Sequence, residues 1–435
     1  LIPCPLQRLA DRQPAGIFLS TPDQVFTFRE VLDKVEEAGE QLLQNRCRLL
    51  CLKEPLSQVD TVIQIFAALR QGIPVAPLNL RLPAVVREQQ DIWLEEAGGV
   101  LPVSGPVPSG WWHPEQTATV LFTSGSTGDQ KAVVHQLKHH LAAAAASNAQ
   151  AALSPSDRWL CVLPLYHVGG LAILFRCLLA GAAVCFPESN QAISQAIQTL
   201  HPSHLSLVPT QLYRWLEEKE FSGSGIKRVL MGGAPLSESL RERARSAGLP
   251  IAVSYGMTET ASQVTATPPG EPAVGSGRCL DHAECRITTD GEIMIKAAST
   301  AAGVMHPEGL RPITDAQGWL HTRDAGRIEH GVLVVEGRMD SRFISGGENI
   351  QPEVVEQALL NLSGISEAVV VPKEDPEFGQ RPVAWVDVEV TQDAVTMWND
   401  GLRAHLPGYM IPVAYRRLPE GSGLKRSRAE LISMT

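Results

Sequence analysis

Apolar and polar positions divide the chain into alternating helical and extended segments. Over residues 28–45, Phe28, Val31, Leu32, Val35 and Leu42 recur at helical spacing, and Thr27 stands where an N-cap belongs. A second helix is expected over 59–71, stopped by Gly72. Short β-branched runs at Ile73 to Pro77, Thr117 to Phe122 and Ala132 to Val134 predict strands. Pro- and Gly-rich stretches at 102–110 and 266–277 read as surface loops. No repeat recurs at solenoid periods. This alternation predicts a layered α/β architecture.

The pattern changes in the last third. Extended runs at Gly291 to Lys296 and Val332 to Glu336 lead to Gly337-Arg338, and a new set of elements begins there. It holds a helix at 352–361, strands near 368–372 and 382–390, a helix near 393–405, and a closing strand and helix. That is material for a separate domain of about 100 residues. The fold class expected is α/β (α+β), a large N-terminal domain over 1–339 and a small mobile C-terminal α+β domain over 340–435. The hinge is expected near Asp340.

Composition narrows the function classes. A chain of 435 residues with 44% hydrophobic and 19% charged residues can bury a large core and is expected to be soluble. A formal net charge of −10 argues against a general nucleic-acid binder, yet leaves room for ATP held by local glycines and a few cations. Pro3 and Pro5 interrupt any apolar leader, and Arg176 interrupts the longest apolar stretch, Leu171 to Phe186. Membrane insertion is therefore not expected. The eight cysteines form no C-x-x-C pair and read as buried thiols of a cytoplasmic protein. A homo-oligomer is left open.

The most informative stretch is Thr123-Ser124-Gly125-Ser126-Thr127-Gly128-Asp129-Gln130-Lys131, between two extended segments. Glycines permit close approach of backbone to a ligand, hydroxyls and amides can cradle phosphate oxygens, and Lys131 supplies a point charge. Its spacing is not that of a Walker A loop. Alone, it reads equally as a surface turn rich in Ser, Thr and Gly. Further motifs follow: Gly232-Gly233-Ala234-Pro235, Ser254-Tyr255-Gly256-Met257-Thr258-Glu259-Thr260, Trp319-Leu320-His321-Thr322-Arg323-Asp324, Gly337-Arg338-Met339-Asp340, Ser345-Gly346-Gly347-Glu348-Asn349-Ile350 and Ser422-Gly423-Leu424-Lys425-Arg426.

In this order the motifs resemble those of the adenylate-forming superfamily, which includes acyl-CoA synthetases, luciferases and peptide-synthetase adenylation domains. The resemblance spans roughly 117–430. Two departures stand out: Gln130-Lys131-Ala132 replaces the usual Pro-Lys-Gly, and Arg323 replaces the glycine of Thr-Gly-Asp. The resemblance implies activation of a carboxylic acid with ATP and transfer of the acyl group to the thiol of coenzyme A, with Mg²⁺ as cofactor. It implies that residues 123–128 and Lys131 hold the phosphates, that Gly233, Ala234 and Gly256 line the adenine, and that Tyr255 stacks on it. Thr258 would bond the α-phosphate and Glu259 would bind Mg²⁺. Asp324 would accept from the ribose hydroxyls and Arg338 would contact ribose or phosphate. Asp340 would be the pivot, and Ser345, Gly346 and Gly347 would admit the thiol. Lys425 would bridge the carboxylate and the α-phosphate, with Arg426 as the competing assignment. Without its motif, Glu259 would read as a surface carboxylate, and the Lys425 run as a solvated basic cluster.

The acid is addressed by Leu163-Pro164-Leu165-Tyr166-His167-Val168-Gly169-Gly170, which resembles the family's acyl-pocket motif. By that resemblance His167, Gly169, Gly232, Gly256 and Met257 would line the pocket; His167 reads equally as a packed histidine. Arg176, flanked by Leu174-Phe175 and Leu178-Leu179, requires a partner if buried. Either an internal salt bridge or a clamp on a second substrate carboxylate would supply one. The short chain, Arg176 and the abbreviated lysine motif together resemble the CoA ligases of menaquinone biosynthesis, whose substrate is an aromatic dicarboxylate. A benzoate-type ligase is the alternative within enzymes, and a non-catalytic nucleotide-binding regulator the alternative outside them. His135, His139 and His140 have i, i+4 spacing, but no acidic third ligand is evident and a structural metal is not expected. His135 is expected near the nucleotide loop or the acyl pocket.

Overall fold

The computed structural model describes the chain except for residues 54, 83, 102–106, 125–129, 307, 347 and 420–427, and except for the side chains of 84, 85, 96–100, 124, 130, 349 and 429. The first predicted helix forms as Phe28–Gln44, with Thr27 as its cap. Glu30 N donates to Thr27 Oγ1 at 3.2 Å and Thr27 N donates to Glu30 Oε2 at 2.8 Å, so two end-of-helix amides are satisfied reciprocally. The second, Gln58–Arg70, is apolar on nearly all sides and is buried accordingly. Arg70 at its end is paired with Glu36 at 2.7 Å.

Around these helices an aromatic chain marks the core. Phe18 stacks on Phe28 at 5.0 Å, lies 5.9 Å from Phe66, and Phe66 meets Phe175 edge-on at 6.2 Å. All four rings are fully buried, and truncating any one would cost about 3–5 kcal/mol.

Two sheets frame this core. In the nine-stranded sheet, Ala183–Cys185, Arg158–Leu160, His204–Leu207, Arg228–Met231 and Ile251–Met257 run parallel in that spatial order. Parallel sheets of this kind bind ligands beyond the carboxyl ends of their strands. Those ends run into Gly232-Gly233 and into Thr258-Glu259, so the topology gathers two of the sequence motifs on one edge. The six-stranded sheet contains the antiparallel pair Thr117–Ser124 and Gln130–Gln136, in register Thr123 to Lys131. A four-stranded sheet ends in Leu320–Glu329 and Val332–Arg338, which places Asp324 directly opposite Arg338.

The last sheet is built from Phe343–Ser345, Glu348–Ile350, Ala368–Asp375, Gly379–Val386 and Ala414–Arg417. It has its own core, with Val355, Leu359, Val370, Val386, Trp398 and Leu402 all buried. The fold is thus a large N-terminal and a small C-terminal α/β assembly. One predicted strand is shifted: 382–390 forms as Gly379–Val386. Asp375 Oδ1 accepts from Glu377 N and Phe378 N, and Gly379 takes φ +75°, so the turn closes early and the strand starts there. The thiols are not uniformly buried either. Cys4, Cys161, Cys177 and Cys185 are, whereas Cys279 at a strand edge is exposed. No described helix is long and apolar enough to cross a membrane.

Candidate active site

Strand Ile251–Met257 delivers the motif around which the site is built. The ladder with Ser262–Ala266 is irregular between Tyr255 and Gly256. A Cβ on Gly256 would lie 2.0 Å from the Ser262 carbonyl oxygen, so the chain returns on itself at a distance only glycine allows. The strand ends in a 3-10 turn, Thr258–Thr260. Met257 N donates to Thr260 Oγ1 at 3.1 Å.

Tyr255 points its hydroxyl across to the neighbouring sheet, where it donates to Asp324 Oδ2 at 2.6 Å. The other oxygen, Oδ1, accepts from Arg338 Nη1 at 3.1 Å, and the same guanidinium donates to Asp340 through Nε and Nη2 at 3.1 and 3.0 Å. Four sequence-predicted residues therefore form one network. Burial raises the Asp324 carboxyl above the usual aspartate value, although Tyr255 and Arg338 pull it down. Burial, then the charge of Asp324, pushes the Tyr255 phenol well up, so it remains a donor. Burial works against the Arg338 cation, but Asp340 and Asp324 outweigh it and raise its pKa.

Arg323, which stands where the family has glycine, adopts φ +61°. The left-handed backbone explains why glycine suits the motif, and an L-residue there carries strain of about 1–2 kcal/mol. Its amide is held by Glu292 Oε1 at 3.0 Å, while Glu292 Oε2 pairs with His321 Nδ1 at 2.9 Å. Thr322 Oγ1 donates to Ile293 O and accepts from Asp324 N, fixing the motif on its strand.

Lys131 is exposed opposite Thr123, at the end of the hairpin where its two strands connect. Gly125, Ser126, Thr127 and Gly128 lie outside the described residues, as does the side chain of Ser124. Gly233, with φ +78°, and Ala234 are exposed just beyond strand Arg228–Met231, next to half-buried Gly232. The Glu259 carboxylate is half-buried and makes no hydrogen bond or ion pair with a described residue. Such a carboxylate fits Mg²⁺, which binds through one or two carboxylates plus phosphate oxygens and water. No cluster of three or more metal-ligating side chains exists among the described residues.

On the acyl side, helix Val168–Ala180 starts from exposed His167, whose ring lies 4.6 Å from that of Tyr166. Gly169 and Gly170 open the helix, and a Cβ on Gly170 would sit 2.3 Å from the Pro164 carbonyl oxygen. Arg176 is 1% exposed on this helix. It has no salt bridge with a described residue. Instead Nη2 donates to Ser262 Oγ at 2.9 Å and Gln263 Oε1 at 3.1 Å, the guanidinium lies over the Trp159 ring at 5.3 Å, and Nε is unpaired. Burial lowers its pKa to about 10, so it stays a cation at neutral pH.

Past Arg338, Ser345 is buried and Gly346 takes φ +59° with its amide on Phe378 O at 2.8 Å. Gly347, Lys425 and Arg426 lie outside the described residues.

This arrangement meets its relatives in sequence as well as shape. The profile of AMP-binding enzymes matches residues 84–305, and that of the AMP-binding enzyme C-terminal domain matches 354–428. The chain belongs to the AMP-binding enzyme family. The 2-succinylbenzoate–CoA ligase of Escherichia coli strain K12 is 34% identical over 446 residues, covering 97% of this chain and 96% of the relative. The Bacillus subtilis o-succinylbenzoate CoA synthetase bound to its acyl-adenylate intermediate superposes with TM-score 0.87 at 28% identity, covering 99% of this chain and 98% of that one. The same enzyme with ATP and magnesium ion gives 0.86 at 28%, covering 99% of each chain.

Several residues of this family member's site carry no local signature. Ser262 and Gln263 hold Arg176, and Ser341, Gln351 and Glu353 bond to one another and to Arg338: Ser341 Oγ lies 2.9 Å from Glu353 Oε1, and Gln351 Nε2 donates to Arg338 O at 2.8 Å. Short polar side chains of this kind have no spacing that a sequence scan detects.

Proposed function

We propose that the chain ligates o-succinylbenzoate to coenzyme A, using ATP and passing through an acyl-adenylate, with release of pyrophosphate and then AMP. The observation that carries this reading is the single network of Tyr255, Asp324, Arg338 and Asp340 beside the Thr258-Glu259 turn, in a chain that aligns end to end with 2-succinylbenzoate–CoA ligases.

A carboxylate is a poor acyl donor because its leaving group would be oxide. In the first step its oxygen attacks the α-phosphate in line and pyrophosphate departs, leaving AMP as a good leaving group. The protein supplies position and charge and forms no covalent bond. Asp324, an acceptor-only group, takes the ribose hydroxyls, and Arg338 backs it with positive charge. Lys131 and residues 123–128 hold the phosphates, Thr258 bonds the α-phosphate, and Lys425 bridges the two reacting oxyanions. Glu259 would hold Mg²⁺, which would supply positive charge for the pyrophosphate leaving group. In the second step the thiol of coenzyme A attacks the acyl carbon and AMP leaves.

The two steps need different faces of the small domain. We assign residues 340–435 to it, with rotation about Asp340 removing Lys425 and bringing Ser345, Gly346 and Gly347 to the site. His167, Gly169, Gly232, Gly256 and Met257 line the aryl end of the acid. Arg176, a buried cation with no carboxylate partner among the described residues, receives the second carboxylate of the substrate. We place the reaction in the cytoplasm, where ATP and coenzyme A are supplied.

The decisive measurement is ATP–pyrophosphate exchange with o-succinylbenzoate, benzoate and a medium-chain fatty acid, with Lys425→Ala as control. Exchange that depends on succinylbenzoate and vanishes in the control is expected. Exchange with benzoate or fatty acid alone would keep adenylation and remove the dicarboxylate. No exchange with any acid would remove the catalytic reading.

A further inference from the structure

His135 has no part in the reaction as set out above, yet it touches the centre of the site. It lies on strand Gln130–Gln136, whose period of two puts Lys131, Val133 and His135 on one face. The ring is fully buried, and Nε2 lies 2.8 Å from the carbonyl oxygen of Thr258. A carbonyl only accepts, so Nε2 carries the proton. Burial, then His139, holds the pKa near 3, so the ring is a neutral donor at any working pH. Its other nitrogen, Nδ1, is buried without a partner among the described residues. The ring thus spends all its hydrogen bonding on the Thr258 turn.

That turn needs holding. It is followed by Ala261 at φ +51° and Ser262 at φ +106°, conformations that L-residues keep only where their surroundings over-determine them. Three contacts do so. His135 takes the Thr258 carbonyl, Ala301 N donates to the Glu259 carbonyl at 2.8 Å, and Arg176 takes Ser262 Oγ at 2.9 Å. Ala302 N in turn donates to Val134 O, the residue before His135, at 2.9 Å. The strand that carries Lys131 and the turn that carries Thr258 and Glu259 are therefore joined both through a side chain and through backbone.

We propose that His135 is a positioning residue for adenylation: its ring N–H holds the Thr258 carbonyl and so sets the turn that aims Thr258 and Glu259 at the α-phosphate and its Mg²⁺. The proposal rests on the roles given to Thr258 and Glu259 above. It adds to the backbone links a neutral side-chain hydrogen bond that sets the geometry between Lys131 and Glu259, made by no group that touches substrate.

The test uses the full chain with His135→Leu, which removes the donor, His135→Gln, which returns an N–H at comparable reach, and Glu259→Gln. ATP–pyrophosphate exchange is followed against Mg²⁺ concentration, and thioester formation is followed separately from supplied acyl-adenylate. In His135→Leu, exchange should fall about tenfold to a hundredfold, the effect of a misplaced catalytic group, and half-saturation by Mg²⁺ should rise. Thioester formation should fall less than exchange, since that step keeps the Thr258 contact to the α-phosphate but has no pyrophosphate for the Mg²⁺ on Glu259 to neutralise. His135→Gln should recover most of the exchange. If His135→Leu does not fold, His135→Asn, whose amide is too short to reach Thr258, replaces it. Equal loss in the leucine and glutamine variants, or parallel loss in both half-reactions, would make the role merely structural and overturn the proposal. Loss of exchange in Glu259→Gln with normal exchange in His135→Leu would overturn this proposal alone. Full exchange in Glu259→Gln at low Mg²⁺ would overturn the reading of the turn, and the proposal with it.

Discussion

The hydroxyl of Tyr255 donates to Asp324 across 2.6 Å, joining the end of one sheet to the middle of a strand in another. The bond orients the carboxylate to which we assign the ribose hydroxyls. Tyr255→Phe removes it and leaves Arg338 as the partner of Asp324. The expected result is a rise of roughly tenfold to a hundredfold in KM for ATP, the range of a hydrogen bond to a charged group of about 1.5–3 kcal/mol. Steady-state kinetics against ATP measures it, and an unchanged KM would show that Asp324 is oriented by Arg338 alone.

Arg176→Ala should raise KM for o-succinylbenzoate by roughly tenfold to a hundredfold, because a charge-assisted hydrogen bond contributes about 1.5–3 kcal/mol. KM for a monocarboxylic benzoate should move far less. An unchanged KM for succinylbenzoate would remove the clamp.

Stability should fall with acid before the carboxylates titrate. His135, His139, His140 and His204 are buried, and burial is the first cause that lowers the pKa of each: to about 3 for His135, about 4 for His139 and His204, and well below the ordinary value for His140. A folded-state pKa below the unfolded value of about 6.5 means that the unfolded chain binds protons the folded chain refuses. The stabilisation is therefore complete above pH ~6.5 and is lost as pH falls toward 4, by about 1.4 kcal/mol per pH unit for each such histidine. Urea unfolding at several pH values should show this slope, and His204→Gln should reduce it by one proton. A slope unaltered in that variant would mean that His204 is not held neutral.

Arg428 is the counter-charge of the small domain. It bonds Glu356 at 2.6 and 3.0 Å, Glu353 at 2.8 Å and Val370 O at 2.8 Å. Burial already raises the Glu356 carboxyl, against the pull of Arg428. Arg428→Ala should lower stability by about 3 kcal/mol, since it leaves the Glu353 and Glu356 carboxylates without their counter-charge. The loss should be larger at pH 8 than at pH 5, because a raised carboxyl pKa stabilises only while the proton is on. Thermal unfolding at both pH values measures it, and equal losses would show that the pair relaxes to water.

The sequence alone determined whatever depends on neighbours along the chain. Thr27 with Glu30 is a complete helix cap within one turn, and the apolar spacing behind it could form only a helix. The motif order identified the family, because glycines, hydroxyls and a lysine at close spacing keep their chemistry wherever the fold puts them. The left-handed backbone at Arg323 was not legible, because an arginine gives no sign of it. Strand limits were less legible: Val388 and Val390 look extended, but they pack on the core without joining the ladder.

Only the tertiary structure decided the partners. Tyr255 and Asp324 are 69 residues apart, Arg176 and Ser262 86 apart, and His135 and Thr258 123 apart. Nothing in a local pattern states which strand lies beside which. For Arg176 the sequence left a salt bridge and a substrate clamp equally open, and the structure removed the salt bridge among the described residues by seating the guanidinium on Ser262, Gln263 and Trp159. For His135 the sequence offered a histidine triad, and the fold turned one member into a neutral donor. Hydrogen-bond partners of single polar side chains follow from strand order and burial, which are set by the packing of the whole chain.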